Sequence, residues 1–110
     1  MLFCVTANYT PAAINALMAK PETNRAEAVR RLIEAAGGKL VSFYSTAADG
    51  PGVLVIFDMP DAMAAPAIGG VVMSTGALQN YRLTRLMTPD EVVGVRRQAA
   101  QLKTVYAAPS

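Results

Sequence analysis

Five consecutive apolar residues, Val53-Leu-Val-Ile-Phe57, constrain this chain more than any other stretch. A strand wetted on one face alternates apolar and polar side chains, so an unbroken run predicts a strand covered on both faces. A second strand-like run, Lys39 to Thr46, precedes it, and the connection Ala47-Ala-Asp-Gly-Pro-Gly52 is turn chemistry. Glycine there supplies positive φ and proline fixes its own. Helices of the same chain can cover one side of the hairpin. The other side is expected to meet a second sheet, which in a chain of 110 residues means another copy of the same protein. Phe57 is read as part of that second contact.

Composition asks for the same extra burial. Hydrophobic residues make up 53% of the chain and charged ones 16%, against roughly 25% charged in typical globular domains. The net charge of +2 is spread over scattered lysines and arginines, with no basic stripe and no tryptophan, which argues against nucleic-acid binding. Histidine is absent, so the commonest metal ligand and the commonest general base near neutrality are both missing. Cys4 is the single cysteine; it excludes an intrachain disulfide, fits a reducing cytosol and reads as a buried structural thiol. No metal or cofactor is expected. The N-terminus lacks the basic start and long apolar run of a secretory signal. From Ala62 to Tyr81 there are 20 uncharged residues, but Pro66, Gly69, Gly70 and Gly76 interrupt them, so a helix, a turn and a strand start are expected and not a membrane span.

Read in order, Leu2 to Tyr9 alternates as a first strand, with Phe3, Val5 and Ala7 on one face and Cys4, Thr6 and Asn8 on the other. Thr10-Pro11 opens a helix that Lys20-Pro21 stops; Asn24 opens a second, ended by Gly37-Gly38. After the hairpin, a helix rich in alanine and glycine runs from Ala62 to about Ser74 and a fourth strand from Ala77 to Met87. Thr88-Pro89-Asp90-Glu91 then starts a last helix that reaches about Lys103. The order β-α-β-β-α-β with an added C-terminal helix predicts an α+β, ferredoxin-like domain over residues 1–103: a four-stranded antiparallel sheet with its helices on one face. Residues 104–110 are expected to form a loosely held tail. Pairing the free sheet faces of two subunits would give a dimeric α/β barrel.

The motifs Asn8-Tyr9-Thr10-Pro11, Gly37-Gly38-Lys39-Leu40, Phe43-Tyr44, Val53 to Ile56, Pro60-Asp61, Ser74-Thr75-Gly76 and Leu86-Met87-Thr88-Pro89, in that order, resemble the GYD-domain family over nearly the whole chain to about residue 100. The resemblance implies the dimeric α/β-barrel type of ferredoxin-like fold. It implies no activity, because the family is named for a motif. Where that family carries Gly-Tyr-Asp before the third strand, this chain has Gly50-Pro51-Gly52, so nothing those two side chains do can be carried over.

Polar groups expected at strand ends or on the sheet are Asn8, Tyr9, Tyr44 and Arg82, with Ser45, Asp49 and Arg85 beside them. A cleft could use a tyrosine hydroxyl as donor and an arginine to hold an acid, so Asn8, Tyr9, Tyr44 and Arg82 are the candidate ligand-binding residues. No catalytic residue is singled out. The functional expectation is a small self-associating cytosolic domain, at least a homodimer through the sheet face, that binds a small apolar ligand. The alternative is a dimeric-barrel enzyme, monooxygenase- or isomerase-like, acting on a small aromatic or quinone-type substrate. A pocket beneath the sheet with a tyrosine and an arginine within reach is the feature that favours this alternative, and a sheet face packed solid with side chains counts against it.

Overall fold

The computed structural model describes residues 1–47 and 49–109, so Ala48 in the hairpin turn and the last residue of the tail lie outside the described residues. The elements are β1 (Leu2–Tyr9), α1 (Pro11–Ala19), α2 (Arg25–Ala35), β2 (Lys39–Thr46), β3 (Gly52–Asp58), α3 (Ala64–Ser74), β4 (Leu78–Leu86) and α4 (Pro89–Leu102). The four strands form one sheet in the order β2-β3-β1-β4, and every neighbouring pair is antiparallel. This is the ferredoxin-like arrangement that the element order predicts.

Local chemistry accounts for the boundaries. Thr10 caps α1 by accepting from the Ala13 N–H, with Pro11 next to it, and its own hydroxyl donates to the Gly76 carbonyl at 2.8 Å. One side chain thereby starts a helix and pins it to the α3–β4 junction. Asn24 caps α2 through the Glu27 N–H. The α3 start differs from expectation by two residues: Asp61 Oδ1 accepts from the Met63 and Ala64 amides, so the aspartate holds the chain before the helix begins. At the end of α2, Gly37 takes a φ of +85°, and a Cβ on Gly38 would run into Met59 and the Asp58 carbonyl. Both glycines are therefore required where α2 turns into β2.

The core lies between the sheet and the helices. Phe3, Val5 and Ala7 of β1 and Val53, Val55 and Phe57 of β3 point into it, joined by Ile33 of α2 and Ala65 and Ile68 of α3. Phe3 stacks on Phe57 with ring centroids 5.8 Å apart. The expectation that Phe57 meets a second sheet is thus overturned: Phe57 faces the helices at 1% exposure. The side chains of β3 that reach the other face are Leu54 and Ile56, both half-buried in the subunit alone. Where every position of a strand is apolar, alternation carries no phase; the partner does. Phe3 opposes Phe57, and Cys4 opposes Ile56.

Two β-bulges adjust which side chains face the helices. On β2 the register shifts between Leu40 and Ser42, so Leu40 and Phe43 point inward and Tyr44 outward. On β4 the shift against β1 coincides with Asn80 at a φ of +54°, and both Leu78 and Tyr81 join the core. A bulge adds one residue on one strand and thereby re-aims its neighbours.

The last helix leaves the body. α4 carries a full capping box from Thr88 and Glu91, and Glu91 also pairs with Arg85 of β4 at 2.8 Å, so its direction is set at its root. It buries no residue, and the subunit's radius of gyration is 17.6 Å against about 13 Å for a compact chain of this length. No helix among the described residues is long and apolar enough to cross a membrane. Phe57→Ala removes a stacked ring at the centre of the core and is expected to lower unfolding free energy by about 3–5 kcal/mol in urea denaturation.

Candidate functional site

A cavity of about 470 Å³ opens between the sheet and the helix layer. Its floor is the middle of the sheet: Val5 of β1 and Val53, Val55 and Phe57 of β3. Val29, Leu32 and Ile33 of α2 form one wall, and Ile68 and Val72 of α3 the other. Ala13, Ala16 and Leu17 of α1 close one end. The void follows from the residues around it. α2 packs on β2 and α3 on β4, the two outer strands, so the helices straddle the central pair. From α1, Ala13 and Ala16 are too short to reach across the gap. A dry apolar void of this size would cost on the order of 10 kcal/mol, as much as a small domain's whole stability, so the space belongs to solvent or to a ligand.

Few polar groups reach the cavity. Tyr9, Lys20, Thr23, Arg25, Thr75 and Tyr81 do, and no carboxylate does among the described residues. Tyr9 comes from the end of β1, where its N–H donates to the Pro51 carbonyl at 3.0 Å. Burial pushes its phenol above the usual tyrosine range, and the Arg25 guanidinium beside it pulls partway back. Tyr81, delivered by the β4 bulge, is also pushed up by burial, and its hydroxyl is buried without a hydrogen-bond partner. The ring lies under Gly69, whose missing side chain makes room for it: a Cβ there would come within 3.1 Å of the hydroxyl. An unpaired buried hydroxyl costs about 1–3 kcal/mol and is a donor awaiting an acceptor. Arg25 opens α2, and Lys20 stands at the end of α1; neither makes a salt bridge among the described residues. Arg30, Arg31 and Arg85, by contrast, are paired with Glu27, Glu34 and Glu91.

Of the residues expected to hold a ligand, the cavity takes Tyr9 and not Asn8, Tyr44 or Arg82. Those three lie on the opposite face of the sheet. Tyr44, Leu54, Thr6 and Arg82 follow one another across the four strands in a single row, with Tyr44 at 63% exposure. Asn8 is a clamp at the sheet's end: it donates to the Asp49 carbonyl at 3.2 Å and accepts from the Asn80 amide at 3.3 Å. Arg25 and Tyr81 are the cavity groups that strand-centred reasoning passes over. Arg25 opens a crossover helix, and Tyr81 faces inward only because Asn80 bulges. Cys4 is half-buried on the open face, where burial raises its thiol pKa. No group of three metal-ligating side chains exists among the described residues.

Two outcomes follow from this geometry. Tyr81→Phe is expected to leave the ligand-free protein as stable or more stable by up to about 1 kcal/mol in denaturant titration, since it removes an unpaired hydroxyl. Because the folded-state pKa values of Tyr9 and Tyr81 lie above the ordinary tyrosine value, the stability tied to their protonated forms is complete below that value. It is lost as pH rises through the raised ones, and a thermal melt against alkaline pH is expected to fall accordingly.

No curated protein matches the chain in sequence. A family model does: the GYD domain, over residues 3–95, spanning every strand and the root of α4. With that match covering most of the chain, and with the four-stranded ferredoxin-like sheet beneath it, the protein belongs to the GYD-domain family.

Proposed function

We propose that the protein is a self-associating domain whose subunit holds a small apolar ligand between its sheet and its helices. The observation that carries this reading is the cavity: about 470 Å³, walled by aliphatic side chains, with few polar groups. Ligand sites of roughly 300–1,000 Å³ have that make-up. The groups that reach it suit binding more than proton abstraction. Both tyrosines are held in their neutral, donating form near neutral pH, and arginine and lysine supply charge but no base.

Self-association is supported by two surfaces that the subunit leaves without cover. On the open sheet face, Leu2, Cys4, Leu54, Ile56 and Leu86 adjoin across three strands, a patch of the kind that marks an interaction site. On α4, Val92, Val95, Ala99 and Leu102 recur at spacings of three and four residues. They give one apolar stripe on a helix that buries none of its residues against its own chain. An isolated helix of 14 residues is marginal in water, so α4 is expected to gain its stability from a neighbour.

Light scattering on a size-exclusion column at micromolar concentration is expected to give a homodimer or larger. Ile56→Asp, which buries a charge in the sheet-face contact, is expected to release folded monomers; a wild-type monomer would overturn the assembly. For the cavity, the neutral probe 1-aminoanthracene is expected to brighten on binding. Ile68→Trp, which fills the space from α3, is expected to abolish that signal without unfolding the protein.

A further inference from the structure

The cavity's cations point to the class of ligand it takes. We propose that it binds an amphiphilic carboxylic acid, with an aliphatic or arylalkyl tail on the Val5 and Val55 floor and the carboxylate at the mouth against Arg25 and Lys20. This rests on the reading of the cavity as a ligand site and adds the head group.

Three observations carry it. First, the charge at the mouth is one-sided: Arg25 and Lys20 line the cavity, and no acidic residue does among the described ones. Glu22 lies in the adjoining groove with Tyr9 and Arg25 and makes no salt bridge with either cation. Second, Arg30, Arg31 and Arg85 satisfy carboxylates of their own chain, whereas Arg25 stands half-buried beside an apolar chamber with the Tyr9 hydroxyl as a neighbour and no carboxylate partner among the described residues. A guanidinium in that setting matches a carboxylate bidentately. Third, the Tyr9 hydroxyl sits beside Arg25 and stays protonated near neutrality, so it can donate to the second lone pair of the same carboxylate. A tail of about ten to fifteen heavy atoms suits a chamber of this class. A neutral ligand would leave the two cations unanswered, and a small anion would leave the apolar floor wet.

The test compares one tail with two head groups on the full-length protein. Isothermal titration calorimetry with decanoate and with decanol, each below its aggregation concentration, separates the contributions of head and tail. Decanoate is expected to bind about ten- to a hundredfold more tightly than decanol, the range a charge-assisted hydrogen bond supplies. Arg25→Gln is expected to remove most of that difference while leaving decanol binding and the circular dichroism spectrum unchanged. Lys20→Gln provides the same readout from an exposed position should Arg25→Gln fail to fold. Equal affinities for the two ligands, or a preference for decanoate that survives in both variants, would overturn the carboxylate assignment and leave the apolar cavity standing. Binding of neither ligand, with the neutral fluorescent probe also excluded, would overturn the cavity reading itself.

Discussion

The rest of the fold is arranged around β3, which carries large apolar side chains on both of its faces. It lies inside the sheet, hydrogen-bonded to β2 and β1, and carries Val53, Val55 and Phe57 on one face and Leu54 and Ile56 on the other. Each large aliphatic or aromatic side chain removed from water contributes roughly 1.5–3 kcal/mol, so leaving either row wet forfeits several such contributions. The helix side is answered within the chain. Phe57 and Phe3 stack there, and Ile33, Ala65 and Ile68 close over them. The other side is answered only in part, since a sheet can shield its own open face no further than neighbouring side chains reach.

The helix layer covers β3 incompletely in a useful way. α2 and α3 settle over the outer strands, and the residues that α1 and α3 bring to the gap, Ala13, Ala16 and Leu17 with Ile68 and Val72, line it without filling it. Larger side chains there would give a solid core. As it stands, the sheet's apolar centre becomes the floor of a chamber, and the end of β1 and the α1–α2 junction bring Tyr9, Arg25 and Lys20 to its mouth. Architecture and site therefore share one cause, the seating of α2 and α3 over the outer strands and not over the central pair. The hairpin turn that lacks the family's Tyr-Asp pair still has a structural part, because the Pro51 carbonyl holds the Tyr9 amide and Gly52 passes the Ala7 carbonyl too closely for a side chain.

Much of this is legible in the chain alone. Caps at Thr10, Asn24 and Thr88, the breaks at Gly37-Gly38 and Gly76, and the alternation of Leu2 to Tyr9 locate the elements to within two residues. What escapes sequence reasoning has physical causes. A run with no polar position does not say which of its residues faces the helices, which is why Phe57 is read toward the wrong side. Bulges break the two-residue period without a signal of their own: Val41 sends Phe43 inward and Tyr44 outward, and Asn80 does the same for Tyr81. Tyr9 was accessible because strand ends are natural ligand positions. Arg25 was not, since its role depends on where a crossover helix begins relative to a gap that no local pattern records. The detachment of α4 is likewise a tertiary fact, though its stripe of Val92, Val95, Ala99 and Leu102 is written plainly in the sequence.

The central claim, that β3 has its second face closed by another copy, can be read from a probe already in place. Cys4 is the only cysteine, sits on the open face directly opposite Ile56, and is half-buried in the subunit. The rate at which a bulky aromatic disulfide reagent modifies the native protein, measured over a dilution series from high micromolar to low nanomolar, reports whether that face is covered. Slow modification is expected at the high end, with a steep rise as the protein is diluted through its dissociation constant. A fast rate independent of concentration would mean that water, and not a partner, borders that side of the sheet.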